Sequence, residues 1–292
     1  MAHKERMEHY RIRVEEGIHQ YLPASGTRPA QLHDAMLYSM QGGGKRLRPV
    51  LVLAACDALH PQADPLPAAV AVECLHGYSL VHDDLPCMDD SDLRRGKPSC
   101  HKQFDEVTAV LAGDALLTHA FALLGREYTA HPDISCRLVT QLGRAAGSEH
   151  LIGGQMEDIL NEGKEPDAAT LEYIHSNKTA ALLCAALGMG AIIGGATDAE
   201  LALIQQFGEK LGMTFQIVDD LLDHSGDEAA VGKPVGADAD SGKTTILSIC
   251  NPDQARAKIE TLTHEAATIC QELAGENSFL EWVVRKMANR AS

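Results

Sequence analysis

Two short runs of aspartate carry the chemistry available to this 292-residue chain. The first reads Val81-His82-Asp83-Asp84-Leu85-Pro86-Cys87-Met88-Asp89-Asp90-Ser91-Asp92-Leu93-Arg94-Arg95-Gly96, and the second reads Phe215-Gln216-Ile217-Val218-Asp219-Asp220-Leu221-Leu222-Asp223. Pro86 forces a helix to finish there, which puts Asp83 and Asp84 at its C-terminal end, where the helix dipole already disfavours negative charge. Asp219 and Asp223 lie four apart on one face of an otherwise apolar helix, a spacing at which like charges repel. One acidic run alone reads as a solvated turn. Two such runs point instead to hard divalent cations, because Mg²⁺ takes one or two carboxylates and completes its octahedron with water and phosphate oxygens. Facing each other across a cavity, the two clusters could hold several Mg²⁺ ions on one polyphosphate.

The basic residues sit beside these motifs. Lys45, Arg46 and Arg48 follow a triple glycine, Arg94, Arg95 and Lys97 follow the first acidic run, and Lys233 and Lys243 follow the second. Arginine offers a phosphate two parallel hydrogen bonds and lysine a point charge, and Lys178 adds a further cation in the middle of the chain. Arg46 and Lys97 read as solvated surface residues.

The elements that must position these groups are helical. Met7, Tyr10, Val14 and Ile18 recur at helical spacing. Pro29 opens a second helix running to about Met40 and Gly42-Gly43-Gly44 ends it. Pro49 begins an apolar segment, Val50 to Leu59, and a long helix runs from Ala68 to about Asp84. On that helix Glu73, His76, Leu80, Asp83 and Asp84 fall at i, i+3, i+7, i+10 and i+11, one face. Further helical patterns cover about 103–128, 134–160, 168–194, 198–223, 253–274 and 277–290. Few stretches alternate with period two, so strands are minor. Small residues four apart (Gly143/Gly147, Gly190/Gly194, Gly208/Gly212) would let helices approach closely. The expectation is one all-α domain, residues 1–292, a single-domain bundle of about ten or more helices around a central apolar cavity.

Composition narrows the class. The chain has 25 Lys+Arg against 41 Asp+Glu, a net charge of −16, with 45% hydrophobic residues. That balance excludes a disordered chain and disfavours nucleic acid as a partner. None of the eight cysteines forms a Cys-x-x-Cys pair and most lie in apolar context, so they read as small buried hydrophobes in a reducing compartment. The charged start, Met1 to Tyr10, carries no signal-peptide pattern, and the longest apolar stretch, Thr179 to Gly195, falls short of a membrane span. The expectation is a cytoplasmic protein with no integral membrane segment.

Taken in order, Gly43-Gly44-Lys45-Arg46-Leu47-Arg48-Pro49, Glu73 to Pro98, Gly153-Gly154-Gln155 with Asp158, Asn177-Lys178-Thr179, Phe215 to Asp223, Gly232-Lys233 and Gly242-Lys243-Thr244 form a recognisable set. The chain resembles the trans-isoprenyl diphosphate synthases, most closely the bacterial farnesyl diphosphate synthases. The resemblance implies the isoprenoid synthase fold and condensation of isopentenyl diphosphate with an allylic diphosphate, dimethylallyl or geranyl. It implies two or three Mg²⁺ per active site and a homodimer. By the same resemblance Asp83, Asp84, Asp89, Asp219, Asp220 and Asp223 would hold Mg²⁺ on the allylic diphosphate, which Arg94, Lys178, Lys233 and Lys243 would contact. Lys45, Arg48, His76 and Arg95 would bind isopentenyl diphosphate, while the Lys178 carbonyl, Thr179 hydroxyl and Gln216 side chain would stabilise the allylic cation. Tyr78 lies five residues before Asp83, about 7.5 Å down the helix, and resembles the floor that halts growth at fifteen carbons in the family. A geranylgeranyl or geranyl product is the alternative.

Ser91 replaces an acidic residue common in bacterial members, and Ile246-Leu247 replaces an aromatic and a proline, which leaves the local turn open. Three other readings compete. Ala237 to Thr244 satisfies a loose P-loop pattern but puts Asp238 and Asp240 inside a phosphate cradle. His82-Asp83 with other histidines suggests an all-α metal-dependent phosphohydrolase, which leaves the second acidic cluster unexplained. A non-catalytic subunit of a prenyl synthase could lose its aspartates without cost, and here both sets are intact.

Overall fold

The computed structural model describes residues 2–41, 43–164, 167–225, 245–275 and 277–291. Lys233, Lys243 and the loose P-loop pattern lie outside the described residues.

The chain is a stack of helices, as the periodicity requires. In order these are α1 (His3–Tyr21), α2 (Ala30–Met40), α3 (Leu47–Asp57), α4 (Leu66–Asp83), α5 (Cys100–Gln103), α6 (Glu106–Glu127), α7 (Pro132–Ala146), α8 (Leu151–Leu160) and α9 (Ala168–Ile174). A π-helical turn, His175–Ala180, leads into α10 (Ala181–Ile193), followed by α11 (Asp198–Ser225), α12 (Pro252–Ala274) and α13 (Phe279–Ala288). The first turns are fixed by side chains: Asp105 accepts from the Thr108 amide at 2.7 Å, and Asn251 and Gln254 cap each other.

At the centre lies α10, in which every residue from Leu182 to Ile193 is buried. Its neighbours come close because glycine lets them. A Cβ at Gly190 would run into the Val52 carbonyl of α3, and one at Gly208 or Gly212 of α11 would collide with Cys184 or Ala180. Gly190/Gly194 and Gly208/Gly212 are therefore helix-packing contacts in the core, whereas Gly143 leaves its nearest neighbour at ordinary distance and Gly147 meets only its own chain. The α4 helix is buried along nearly its whole length and packs on α6, so its acidic end rests on a rigid base.

Three local readings need correction. The helix expected over 134–160 is two helices, broken at Gly147 to His150, and the Gly147-Ser148 pair is a turn signal that the apolar period obscured. The pattern over 168–194 is interrupted by the π-turn. Helix α3 begins at Leu47, with Pro49 inside its first turn, where a missing N–H costs nothing. Two helical stretches, Glu106–Glu127 and Ala168–Ile193, are long and apolar enough by composition to cross a membrane; the second is mostly buried within the protein. All eight cysteines are free, most of them buried, with Cys87 and Cys136 exposed.

Candidate active site

The first acidic run folds back on its own helix. The amides of Asp89 and Ser91 donate to the carbonyls of Asp83 and Asp84, and those of Met88 and Asp90 to the Leu85 carbonyl, so the helix's last carbonyls are satisfied by the loop that carries further carboxylates. A two-residue hairpin follows, β1 (Leu93–Arg94) against β2 (Lys97–Pro98). Its turn, Arg95-Gly96, has φ of 54° and 76°, the doubly positive geometry of a tight hairpin. That turn sends the two arginines apart. Arg94 lies over Asp84 and its guanidinium donates to both carboxylate oxygens. Arg95 crosses to the glycine loop and donates to the Gly43 carbonyl. Asp84 is only 2% exposed, and burial pushes its carboxyl above the ordinary carboxylate range against the pull of Arg94.

The second acidic run occupies the C-terminal part of α11 and is tied to the π-turn. Thr179 Oγ1 donates to Gln216 Oε1 at 2.8 Å, Gln216 Nε2 donates to Asp220 Oδ1 at 2.9 Å, and the Ile246 amide donates to Asp220 Oδ2 at 2.7 Å. Because the amide of Gln216 must donate to Asp220, its carbonyl oxygen is turned to Thr179. His175, buried in the same turn, places Nε2 3.6 Å from Asp220. Sequence reasoning missed His175, and its place beside Lys178 gave no signal without the three-dimensional fold. Ile246 itself is buried with Ile217, Leu221 and Ile259, and its turn is held by reciprocal bonds between Thr245 and Ser248. The substitution of the family's aromatic and proline thus leaves an ordered turn.

Lys178 pairs with Asp158 of α8 at 2.5 Å. Helix α8 can reach it because residue 154 is glycine: a Cβ there would overlap the Lys178 backbone. His150, which precedes α8, hydrogen-bonds Asn177 at 2.7 Å on the other side of Lys178.

The third group gathers around the glycine loop. Arg48 Nη1 lies 3.2 Å from His76 Nε2, so burial and a positive neighbour hold the imidazole well below its usual range and neutral. Burial likewise lowers the Arg48 guanidinium to about 10. Arg48 feels the charges of Glu73 on α4, of Arg95 and of Asp219 on α11, while Lys45 feels Asp219 and Arg290 of the C-terminal turn Asn289–Ala291. The glycine loop therefore bridges the α4 side and the α11 side of the site.

Arg46 overturns its reading as a surface residue. It is 4% exposed, held by Glu15, Glu73 and the Met40 carbonyl. Lys97 is exposed, as expected. Tyr78 is buried, its ring edge-on to His82 with centroids 5.8 Å apart, and its hydroxyl finds no hydrogen-bond partner among the described residues. His82 turns to α6, its Nε2 3.0 Å from the Val110 carbonyl. A cavity of about 40 Å³ opens beside Gly77, Asp84, Arg94 and Arg95. A wider cleft of about 700 Å³ lies behind the π-turn, lined by Ser176, Cys184, Lys210, Met213 and Lys258.

Among the described residues no three His, Cys, Asp or Glu side chains converge on one point as a metal cage would require. The donor set still suits Mg²⁺: it is all carboxylate oxygen, arranged in separated clusters, and Mg²⁺ is ordinarily held by one or two carboxylates with phosphate oxygens rather than by protein alone.

An all-helical bundle that carries two acidic helix ends and a loop of cations has the architecture of an all-α prenyltransferase. A polyprenyl synthetase family model matches residues 29–275. Farnesyl diphosphate synthase of Geobacillus stearothermophilus is 45% identical over 234 residues, covering 79% of this chain and 79% of that one. Geranylgeranyl pyrophosphate synthase 11, chloroplastic, of Arabidopsis thaliana is 42% identical over 278 residues, 92% of this chain and 77% of that one. The crystal structure of a geranyltransferase from Helicobacter pylori, complexed with magnesium and isoprenyl diphosphate, superposes with a TM-score of 0.83 at 34% identity, covering 97% of this chain and 96% of that one. The chain belongs to the polyprenyl synthetase family.

Proposed function

We propose that this single-domain protein condenses isopentenyl diphosphate head-to-tail with dimethylallyl or geranyl diphosphate and releases farnesyl diphosphate. The observation that carries this reading is the electrostatic bridge at Arg48 and Lys45, which places cations within the field of Asp219 while Arg48 also faces Glu73 and Arg95. Two anionic substrates could be held side by side there, one by metal and one by arginine.

Asp83, Asp84, Asp89, Asp219, Asp220 and Asp223 would hold Mg²⁺, two or three ions per site, with Asp84 shared with Arg94 and Asp220 shared with Gln216 and Ile246. Bound there, Mg²⁺ supplies Lewis-acid stabilisation of a departing diphosphate. The protein's own groups do the rest. Arg94, Lys178, Lys233 and Lys243 contact the allylic diphosphate and stabilise the charge that grows on it as the carbon–oxygen bond breaks. The Lys178 carbonyl, Thr179 hydroxyl and Gln216 carbonyl present uncharged oxygens to the allylic carbon, stabilising the cation without capturing it. Lys45, Arg48, His76 and Arg95 orient isopentenyl diphosphate, whose double bond attacks that carbon. A proton then leaves C2 of the isopentenyl unit for the released diphosphate, so no dedicated side-chain base is needed. Apolar packing around the site excludes the water that would quench the cation.

Tyr78, buried with its ring edge-on to His82, forms the floor that limits the product to fifteen carbons. A homodimer is supported by α6, where Val107, Val110 and Leu111 are exposed at i, i+3 and i+4, an apolar stripe suited to a second copy. The free cysteines, most of them buried, support a cytoplasmic enzyme, and the net charge of −16 supports small substrates with no nucleic-acid partner.

The test is incubation with isopentenyl diphosphate, Mg²⁺ and either dimethylallyl or geranyl diphosphate, followed by chain-length analysis of the product. A fifteen-carbon product is expected. A twenty-carbon product would instead favour a geranylgeranyl diphosphate synthase. Orthophosphate released without carbon–carbon bond formation would refute the reading.

A further inference from the structure

Several cations crowd the turn between α2 and α3, yet the carboxylate buried among them touches one of them most directly. Glu73 of α4 lies within the charge field of Arg46, Arg48 and Arg95, and it forms an ion pair with Arg46 at 2.7 Å. Both side chains are almost fully buried, 2% exposed for Arg46 and 4% for Glu73.

Every nitrogen of the Arg46 guanidinium is engaged. Nε and Nη2 fork onto Glu15 of α1 at 2.9 and 3.2 Å, Nη1 takes Glu73, and Nη2 also donates to the Met40 carbonyl at the end of α2. Arg46 holds φ of 47°, in the left-handed region, and its side chain is buried while that of Lys45 stays exposed. Its neighbour in the site, Arg48, is differently placed: one nitrogen meets His76, and its buried Nε has no hydrogen-bond partner among the described residues.

We infer that Arg46 is a positioning residue that sequesters the Glu73 carboxylate, and so keeps Arg48 and Arg95 available for the diphosphate of the second substrate. A buried carboxylate is costly unless it is paired, and it takes the nearest cation on offer. Without Arg46 those cations are Arg48 and Arg95. Glu73 then becomes an internal competitor of the diphosphate, and binding weakens although no residue that touches substrate has changed. This inference rests on the assignment of Arg48 and Arg95 to isopentenyl diphosphate.

The experiment compares Arg46→Met, Arg46→Lys and the double variant Arg46→Met/Glu73→Gln. Steady-state kinetics give KM for each substrate, and calorimetry gives binding of inorganic diphosphate without Mg²⁺. Arg46→Met is expected to raise KM for isopentenyl diphosphate roughly tenfold, the scale of a lost charged hydrogen bond, and to leave KM for the allylic substrate within about a factor of two. Neutralising Glu73 in the double variant should restore most of the loss, and Arg46→Lys, which still pairs with Glu73, should retain near-normal binding. If both KM values rise together, or the double variant is no better than Arg46→Met, the role is structural and the inference falls. Should Arg46→Met fail to fold, the lysine and double variants still decide. Absence of any prenyl product from the wild-type chain would refute the proposed function, whereas the calorimetric loss and its recovery by Glu73→Gln read the sequestration by themselves.

Discussion

Thr179 and Gln216 are joined by a 2.8 Å hydrogen bond across the π-turn and α11, and the Asp220 carboxylate on the other side of Gln216 settles which way its amide faces. Its nitrogen is committed to Asp220 and its oxygen points to Thr179. Two neutral oxygens therefore stand together where a cation would be expected. Gln216→Leu removes one and breaks the chain to Asp220. The rate constant kcat should fall by roughly ten- to a hundredfold, with KM for both substrates little changed, because the loss falls on the charged transition state. A rise in KM with kcat intact would show that the residue serves ground-state binding instead.

Tyr78 separates size from polarity. Its hydroxyl is buried without a partner among the described residues, so Tyr78→Phe should leave stability the same or slightly higher and the product unchanged. On the role proposed for Tyr78, Tyr78→Ala should lengthen the product beyond fifteen carbons, at a cost of about 3 kcal/mol in stability from the lost packing. Chromatography of extracted products checks the first outcome and thermal unfolding the second.

At Gly154 the constraint is steric and falls on backbone. An added methyl group would overlap the Lys178 main chain, which cannot swing aside as a side-chain tip could. Gly154→Ala should cost about 1–3 kcal/mol by overpacking and lower kcat by displacing Lys178 from Asp158. Gly125→Ala is the control, since a methyl group added there would meet no neighbouring atom, and it should be neutral or slightly stabilising. Thermal unfolding and steady-state rates of the two variants, measured side by side, check both expectations.

His76 gives the pH prediction. Burial and Arg48 hold its pKa well below the ordinary histidine value near 6.5. As pH falls below that value the unfolded chain takes up a proton that the folded chain refuses, so the stability contributed by neutral His76 is intact at neutral pH and is lost on acidification. His76→Gln cannot take up this proton. Its unfolding free energy should decline less steeply from pH 6.5 downward than that of the parent, as followed by urea denaturation at successive pH values. Parallel slopes would show that His76 is not a source of acid sensitivity.

What the sequence revealed and what it concealed follow from range. The acidic runs were legible because proline, the helix dipole and the i, i+4 rule act within one or two turns of chain. Arg46 was not legible. Its burial depends on Glu15 and Glu73, which are 31 and 27 positions away, and a basic residue next to a glycine loop looks solvated until those partners arrive. The break at Gly147 was written in the chain but outweighed by an apolar rhythm that continues through it. The π-turn left no mark in that rhythm, since the helices on either side are each regular. Lys233 and Lys243, recognisable by their motifs, lie outside the described residues.

The π-turn also bears on how this segment could change over generations. A wider turn holds more chain than a regular one, and removing a single residue between Ser176 and Thr179 would let the stretch close into continuous α-helix. The helices on either side would keep their phase, because the wide turn is what absorbs the extra residue, and Leu171 and Ile174 would still be buried. What would be lost is the local displacement of chain that sets Lys178 against Asp158 and Thr179 against Gln216. A codon lost here would therefore cost the site its placement before it cost the fold its packing.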